Sequence, residues 1–235
     1  MFTKISSITL AIVLFLVLLG TEAHPYALAI GAATLIILSL GINFKRLNFT
    51  WPHLLLPATY LLAATCVFAI IPNPKLRLVF LIAAAITFYF LEIKLGHESH
   101  LLQNLFLLSS FGIYLGLFAA EFYLHIQIYG FLPLVFVVTY LLAIQGFAGF
   151  ALPAKKYFYL LTTLVVTEAA WGLTNWPTHF FVEAVVLFCV FYVLWLFAFS
   201  AFFGKLSRAK IFWQLSLIAL VLLLTLSTAA WRPLR

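Results

Sequence analysis

The sequence predicts an all-α polytopic transmembrane bundle of about nine spans, with the N-terminus cytoplasmic and the C-terminus outside. Three observations predict it. Apolar residues make up 66% of the chain and charged residues 8%, whereas a soluble domain is about 45–50% apolar and about 25% charged. The apolar residues fall in runs of helical length. The basic residues fall in short clusters between those runs, which is where topology is set in a membrane. A globule this apolar could not cover its surface with polar atoms, so the bilayer is the expected solvent.

The runs are Ile5–Gly20, Tyr26–Asn43, Trp51–Ile71, Leu78–Leu95, Leu101–Phe122, Tyr129–Leu152, Tyr157–Trp176, His179–Phe203 and Ile211–Trp231. Each is apolar all round, without the alternation over about ten residues that marks a barrel strand. Pro25, Pro72, Pro74, Pro153 and Pro177 punctuate the joins, where a missing N–H is tolerated. Pro57 and Pro133 fall within spans and are expected to kink them or mark their first turns. Joins are short and no internal repeat is evident, so residues 1–235 read as one helical domain. The first run, preceded by Lys4 and followed by Thr21-Glu22-Ala23, also has the shape of a signal peptide; a retained span is the expectation.

Orientation follows from the bases. With the N-terminus inside, the inner side receives Lys4, Lys45, Arg46, Lys94, Lys155, Lys156, Lys205, Arg208 and Lys210, and the outer side Lys75, Arg77, Arg232 and Arg235. Nine against four satisfies the positive-inside rule, with the Lys75–Arg77 loop its weak point. Trp213 and Trp231 lie 18 residues apart, about 27 Å along a helix, which matches the two interfacial belts.

The net charge of +7 therefore reads as topology, and nucleic acid is not an expected partner. All six acidic residues are Glu. Without Asp there is no Asp-rich magnesium site, no aspartyl intramembrane protease and no Asp-based phosphatase, and no Gly-Lys-Ser/Thr phosphate loop occurs. Cys66 and Cys189 lie mid-span and read as small buried apolar residues. Gly112 and Gly116, extended by Ala120, form a small-residue stripe that lets helices approach closely; contact within the bundle is the plain reading and homodimerisation the alternative.

Chemistry is sought where a charge meets hydrocarbon, because such a residue is costly and is a functional candidate by default. Glu168 lies within span seven and Glu183 near the start of span eight, joined by the hairpin Thr174-Asn175-Trp176-Pro177-Thr178. Counting from that turn places Glu183 level with Trp171, about one turn from Glu168. The expected polar site comprises Glu168, Glu183, His179, Asn175 and Trp171. His179 with Glu183, and Glu121 with His125, are spaced i, i+4 and share a helix face, and Glu22 and His24 join them on the expected outer side. This is a donor set for a divalent metal, with His179, Glu183, Glu121 and His125 the candidate ligands. The plain readings are solvated interfacial residues for Glu22, His24, Glu121 and His125, and a helix-start contact for His179–Glu183. His97-Glu98-Ser99-His100, with Glu92 and Lys94 nearby, reads as a polar turn on the inner side. His53 reads as an interfacial anchor, and Gln103, Asn104 and Gln145 as amides bonding across helices.

Glu168, the Trp176-Pro177 turn, Tyr192, Trp195 and Gly204-Lys205-Leu206 together resemble an uncharacterised family of small bacterial multi-span inner-membrane proteins over the C-terminal third. The resemblance implies a bacterial inner-membrane location and carries no activity. A retinal protein would need a Schiff-base Lys in a late span, which spans seven and eight lack. A membrane-embedded prenyl-protein protease would need paired glutamates, and Thr-Glu-Ala-Ala-Trp around Glu168 offers one. The leading functional expectation is proton, cation or small-solute handling by the outer Glu/His pocket. The alternatives are an accessory subunit packing against other membrane proteins, and a metal-assisted enzyme acting on lipid-linked substrates.

Overall fold

The computed structural model describes residues 2–20, 25–46, 51–95, 100–147, 155–203 and 208–231. Within them the chain forms nine helices and no strand. They are α1 (Phe2–Gly20), α2 (Pro25–Arg46), α3 (Trp51–Ile70), α4 (Pro74–Lys94), α5 (His100–Leu124), α6 (Ile128–Gly146), α7 (Lys155–Leu173), α8 (Phe180–Phe203) and α9 (Arg208–Thr228). Six of them, α2, α4, α5, α6, α8 and α9, have described segments long and apolar enough to cross a membrane, and α1 and α3 carry shorter apolar segments. Large apolar side chains such as Ile37, Val79, Leu164, Leu217 and Leu223 stand exposed along these helices. In water that surface would be a severe liability; in lipid it is the solvated face. The architecture is that of a multi-pass helical membrane protein.

The boundaries follow local chemistry. Helix α4 begins about one turn before the expected Leu78, because Asn73 caps it: Asn73 Oδ1 accepts from the backbone N–H of Lys75 at 2.9 Å and of Leu76 at 3.4 Å. Pro74 takes the first helical position, where its missing N–H costs nothing. Arg77 then closes the preceding helix. Its Nε and Nη2 donate to the Ile71 carbonyl at 3.0 and 2.7 Å, and its guanidinium lies 5.4 Å from the Phe68 ring centre. A cation at a helix C-terminus satisfies orphan carbonyls and opposes the negative end of the helix dipole. Pro57 and Pro133 lie inside α3 and α6, in their second turns.

The chain divides into two compact units, residues 1–116 and 117–235, with the boundary inside α5. In the first unit α1 packs on α2 and α4, and α3 on α2 and α4. Its core holds Leu14, Leu18, Leu35, Leu61, Phe68, Leu81, Phe88 and Tyr114. The Tyr60 hydroxyl donates across to the Ala84 carbonyl at 3.0 Å, and Tyr60 stacks on Phe88. Buried hydroxyls turn back on their own helices, as Thr65 does to Leu61 and Ser109 to Leu105, which satisfies those donors without water. In the second unit α7 packs on α6 and α8, and α8 on α9. Phe147 stacks on Tyr159, and the Trp195 indole donates to the Gly146 carbonyl at 3.3 Å.

The small-residue stripe of α5 meets α3 within the first unit. A Cβ on Gly112 would lie 3.0 Å from Ala63 Cβ, and one on Gly116 would lie 2.5 Å from both Cβ and Sγ of Cys66. Ala120, one turn on, lies past the unit boundary and is half-buried. Gly116→Ala must push apart a contact that begins at the Cys66 Cβ and has little freedom to move. It is expected to destabilise the purified protein by about 1–3 kcal/mol, the usual range for overpacking, read as a lower melting temperature in detergent. Gly20→Ala, where the added carbon meets nothing within 4 Å, is the control and should not lower it.

Candidate functional site

The α7–α8 hairpin places the sequence-predicted residues on unlike surfaces. Helix α7 buries Tyr159, Thr162, Thr163, Val166, Ala170 and Leu173. The opposite face carries Leu160, Leu161, Leu164, Glu168 and Trp171, all exposed. Glu168 therefore stands on the outer, Leu-rich face of its helix, and Trp171 and Asn175 are exposed with it. Asn175 is used locally: its Nδ2 donates to the Trp171 carbonyl at 3.0 Å, closing the C-terminus of α7. The expected sharing of a buried pocket by Glu168 and Glu183 is not what these positions provide.

Glu183 is different. Its exposure is 0%, and it sits in the first turn of α8. The Thr178 hydroxyl donates to its Oε1 over a long 3.4 Å. The first turn of a helix, where backbone N–H groups lack partners within the helix, is a favourable place for an acidic side chain. His179 caps the same helix: its Nδ1 accepts from the backbone N–H of Phe181 at 3.3 Å, and its carbonyl accepts from the N–H of Val182 at 2.8 Å. The ring lies 4.1 Å from the Phe180 ring centre and 5.7 Å from that of Phe122. Burial against these rings lowers the His179 pKa from its ordinary 6.5. An acceptor role for Nδ1 requires the neutral imidazole, so geometry and desolvation favour the same form.

Glu121 is half-buried in the last turn of α5, and His125 is exposed just beyond it. His125 adopts a left-handed backbone with φ of 50°, the conformation that ends many helices. Among the described residues, no three His, Cys or Glu side chains come together where they could hold a metal. The set His179, Glu183, Glu121 and His125 is thus not gathered into one such group: His179 caps α8, and Glu121 and His125 lie at the end of α5. Glu22, His24 and His97 to Ser99 lie outside the described residues, as do Gly204-Lys205-Leu206. Of the amides, Gln145 is buried, whereas Gln103 and Asn104 are exposed.

A second buried carboxyl, Glu92, lies in the first unit, close in sequence to the polar His97–His100 turn. Glu92 is 1% exposed, and Ser39 and Asn43 are 0% exposed. The Ser39 hydroxyl donates to Glu92 Oε1 at 3.1 Å. Asn43 Nδ2 donates to Oε1 at 3.0 Å and to Oε2 at 3.2 Å, and contacts Ser39 Oγ at 3.3 Å. One signal was available: Ser39 and Asn43 are spaced i, i+4 on one face of α2. The nearness of Glu92 to Lys94 and to the His97–His100 turn drew it instead to a water-exposed setting.

No family model matches the chain, nor does any curated protein or solved structure.

The capping role of His179 has a pH consequence. Because its folded pKa lies below the unfolded value of about 6.5, the folded state binds fewer protons, and its contribution is complete above that pH and lost as pH falls below it. His179→Asn keeps a capping acceptor without the titration. Thermal denaturation in detergent on either side of pH 6.5 should show wild type losing more stability on the acid side than His179→Asn does; equal losses would contradict this assignment.

Proposed function

We propose that the protein handles a proton, small cation or small solute in a bacterial inner membrane, with Glu183 as the working carboxyl. The observation that carries this reading is the complete burial of Glu183 inside the helical unit formed by the end of α5 and by α6–α9. Burying an ionisable group is costly unless it is compensated, and inside a membrane protein such a group is a functional candidate by default. Thr178, which donates to the carboxylate, and His179, which holds the first turn of α8, position it. The base distribution supports a cytoplasmic N-terminus and an outer C-terminus, which puts Glu183 toward the outer side.

A second reading, an accessory subunit that docks on other membrane helices, is favoured by Glu168. That carboxyl stands on an exposed Leu-rich face of α7, and a partner helix with a hydrogen-bond donor would cover it at lower cost than lipid. On this reading Glu168→Leu abolishes a discrete complex in native gels, whereas on the transport reading it leaves flux unchanged.

The direct test is flux. Liposomes containing the purified chain, given an imposed proton or sodium gradient, should dissipate it faster than empty liposomes. Glu183→Gln should slow the proteoliposome rate by roughly a hundredfold, the low end of what a positioned proton-transfer group contributes. Wild-type flux no greater than that of empty liposomes, or unchanged flux in Glu183→Gln, would overturn the reading.

A further inference from the structure

We propose that a second copy of this chain docks on the outward face of α7, along a seam centred on Glu168. The proposal rests on the accessory-subunit reading above and names its partner; Glu183 has no part in it. Helix α7 packs on α6 and α8, both of which have segments long and apolar enough to cross a membrane. Its inward face is occupied by Thr162, Thr163, Val166 and Ala170. Within the second unit, the outward face is left to the surroundings.

That face has the spacing of a helix–helix contact. Tyr157, Leu161, Leu164, Glu168 and Trp171 recur at intervals of four, three, four and three. This is the 3.5-residue period of a coiled-coil seam, which keeps one stripe of side chains turned toward a single partner helix. The stripe is open along its length. Tyr157 is 77% exposed, Leu161 56%, Leu164 51% and Trp171 55%, and Glu168 is exposed among them. Tyr157, Leu161 and Leu164 border an apolar recess of about 320 Å³, a hole for an apolar knob. Two turns further on, a carbon added to Gly172 would meet nothing within 4 Å, which leaves room beside Trp171 for a second ring.

The polar position on the seam selects the occupant. A lipid acyl chain offers a carboxyl nothing to bond, whereas helices in lipid are held together by packing and by interhelical hydrogen bonds. Two copies inserted with one topology are related by a two-fold axis along the membrane normal, so their α7 helices run parallel and each seam residue meets its own counterpart. A protonated carboxyl donates one hydrogen bond and still accepts others, so one carboxyl complements another. The seam thus complements itself, leucine to leucine and carboxyl to carboxyl. A single polar residue at such a position also fixes register and the number of partners. The Gly112–Gly116 stripe offers no rival surface, because α3 already fills it with Ala63 and Cys66.

The test is disulfide trapping of the purified full chain in liposomes, in a background with Cys66 and Cys189 replaced by Ala. Leu164→Cys puts a thiol on the seam, and Leu223→Cys puts one on the exposed surface of α9. Under copper phenanthroline, Leu164→Cys should form a covalent dimer of twice the 26.5 kDa chain mass, several times faster than Leu223→Cys. Adding Glu168→Leu should raise the protein-to-lipid ratio needed for half cross-linking about tenfold, within what an interhelical hydrogen bond contributes in lipid. Glu168→Gln, which keeps a donor and an acceptor, should stay close to the parent. Equal trapping at Leu164→Cys and Leu223→Cys, or trapping unaffected by Glu168→Leu, would overturn the proposal. A purified chain that gives no dimer, yet cross-links through Leu164→Cys to a different protein in native membranes, would overturn it and leave the accessory-subunit reading standing. No cross-link in either setting would remove both.

Discussion

A carboxyl group removed from water must be compensated where it stands, and in a chain solvated by lipid no loop of water can reach in to do it. That constraint shapes both polar centres. Glu183 meets it at a helix start, where the backbone N–H groups and dipole of α8 favour a negative charge and Thr178 adds a hydroxyl. Glu92 meets it at the end of a helix, where the backbone works against it, with Ser39 and Asn43 donating to its oxygens. The two glutamates are equally buried and sit at opposite ends of their helices, Glu92 in the last turn of α4 and Glu183 in the first turn of α8.

The rest of the molecule is organised by a second consequence of the same solvent. When lipid is as apolar as the side chains, helices are sorted by shape: small residues pack and long ones face lipid. Gly112 and Gly116 against Ala63 and Cys66 show this for α5 and α3. Helix α7 shows it too, with Thr162, Thr163, Val166 and Ala170 turned inward and Leu160, Leu161 and Leu164 outward. Glu168 rides on the outward face. Its position on that face removes it from the company of Glu183.

Much of the fold was legible in the sequence, because hydrophobic runs and breaker residues are local signals. All nine runs became helices, most within a few residues of their expected limits. The departures have local causes, such as the Asn73 cap that draws Pro74, Lys75 and Arg77 into α4. The buried polar clusters were less legible. Counting residues away from a hairpin gives the height of Glu168 and Glu183 but not their rotation about the helix axes, and rotation decides burial. The clue lay in size: Glu168 is in phase with Leu160, Leu161 and Leu164, not with the Thr and Ala face. The Glu92 cluster joins residues 49 and 53 positions apart, a pairing that no spacing within one helix reveals. The i, i+4 spacings of His179–Glu183 and Glu121–His125 were real, yet such a spacing at a helix end serves caps as readily as metals.

The account depends on Glu92 and Glu183 lying out of reach of water inside the membrane. Cysteine accessibility in native membranes measures that directly. In a background with Cys66 and Cys189 replaced by Ala, Glu92→Cys and Glu183→Cys should resist a membrane-impermeant maleimide applied to both faces of opened vesicles. Lys75→Cys, at the exposed start of α4, should react quickly. Rapid labelling at Glu92→Cys and Glu183→Cys would place both positions in water and contradict the account.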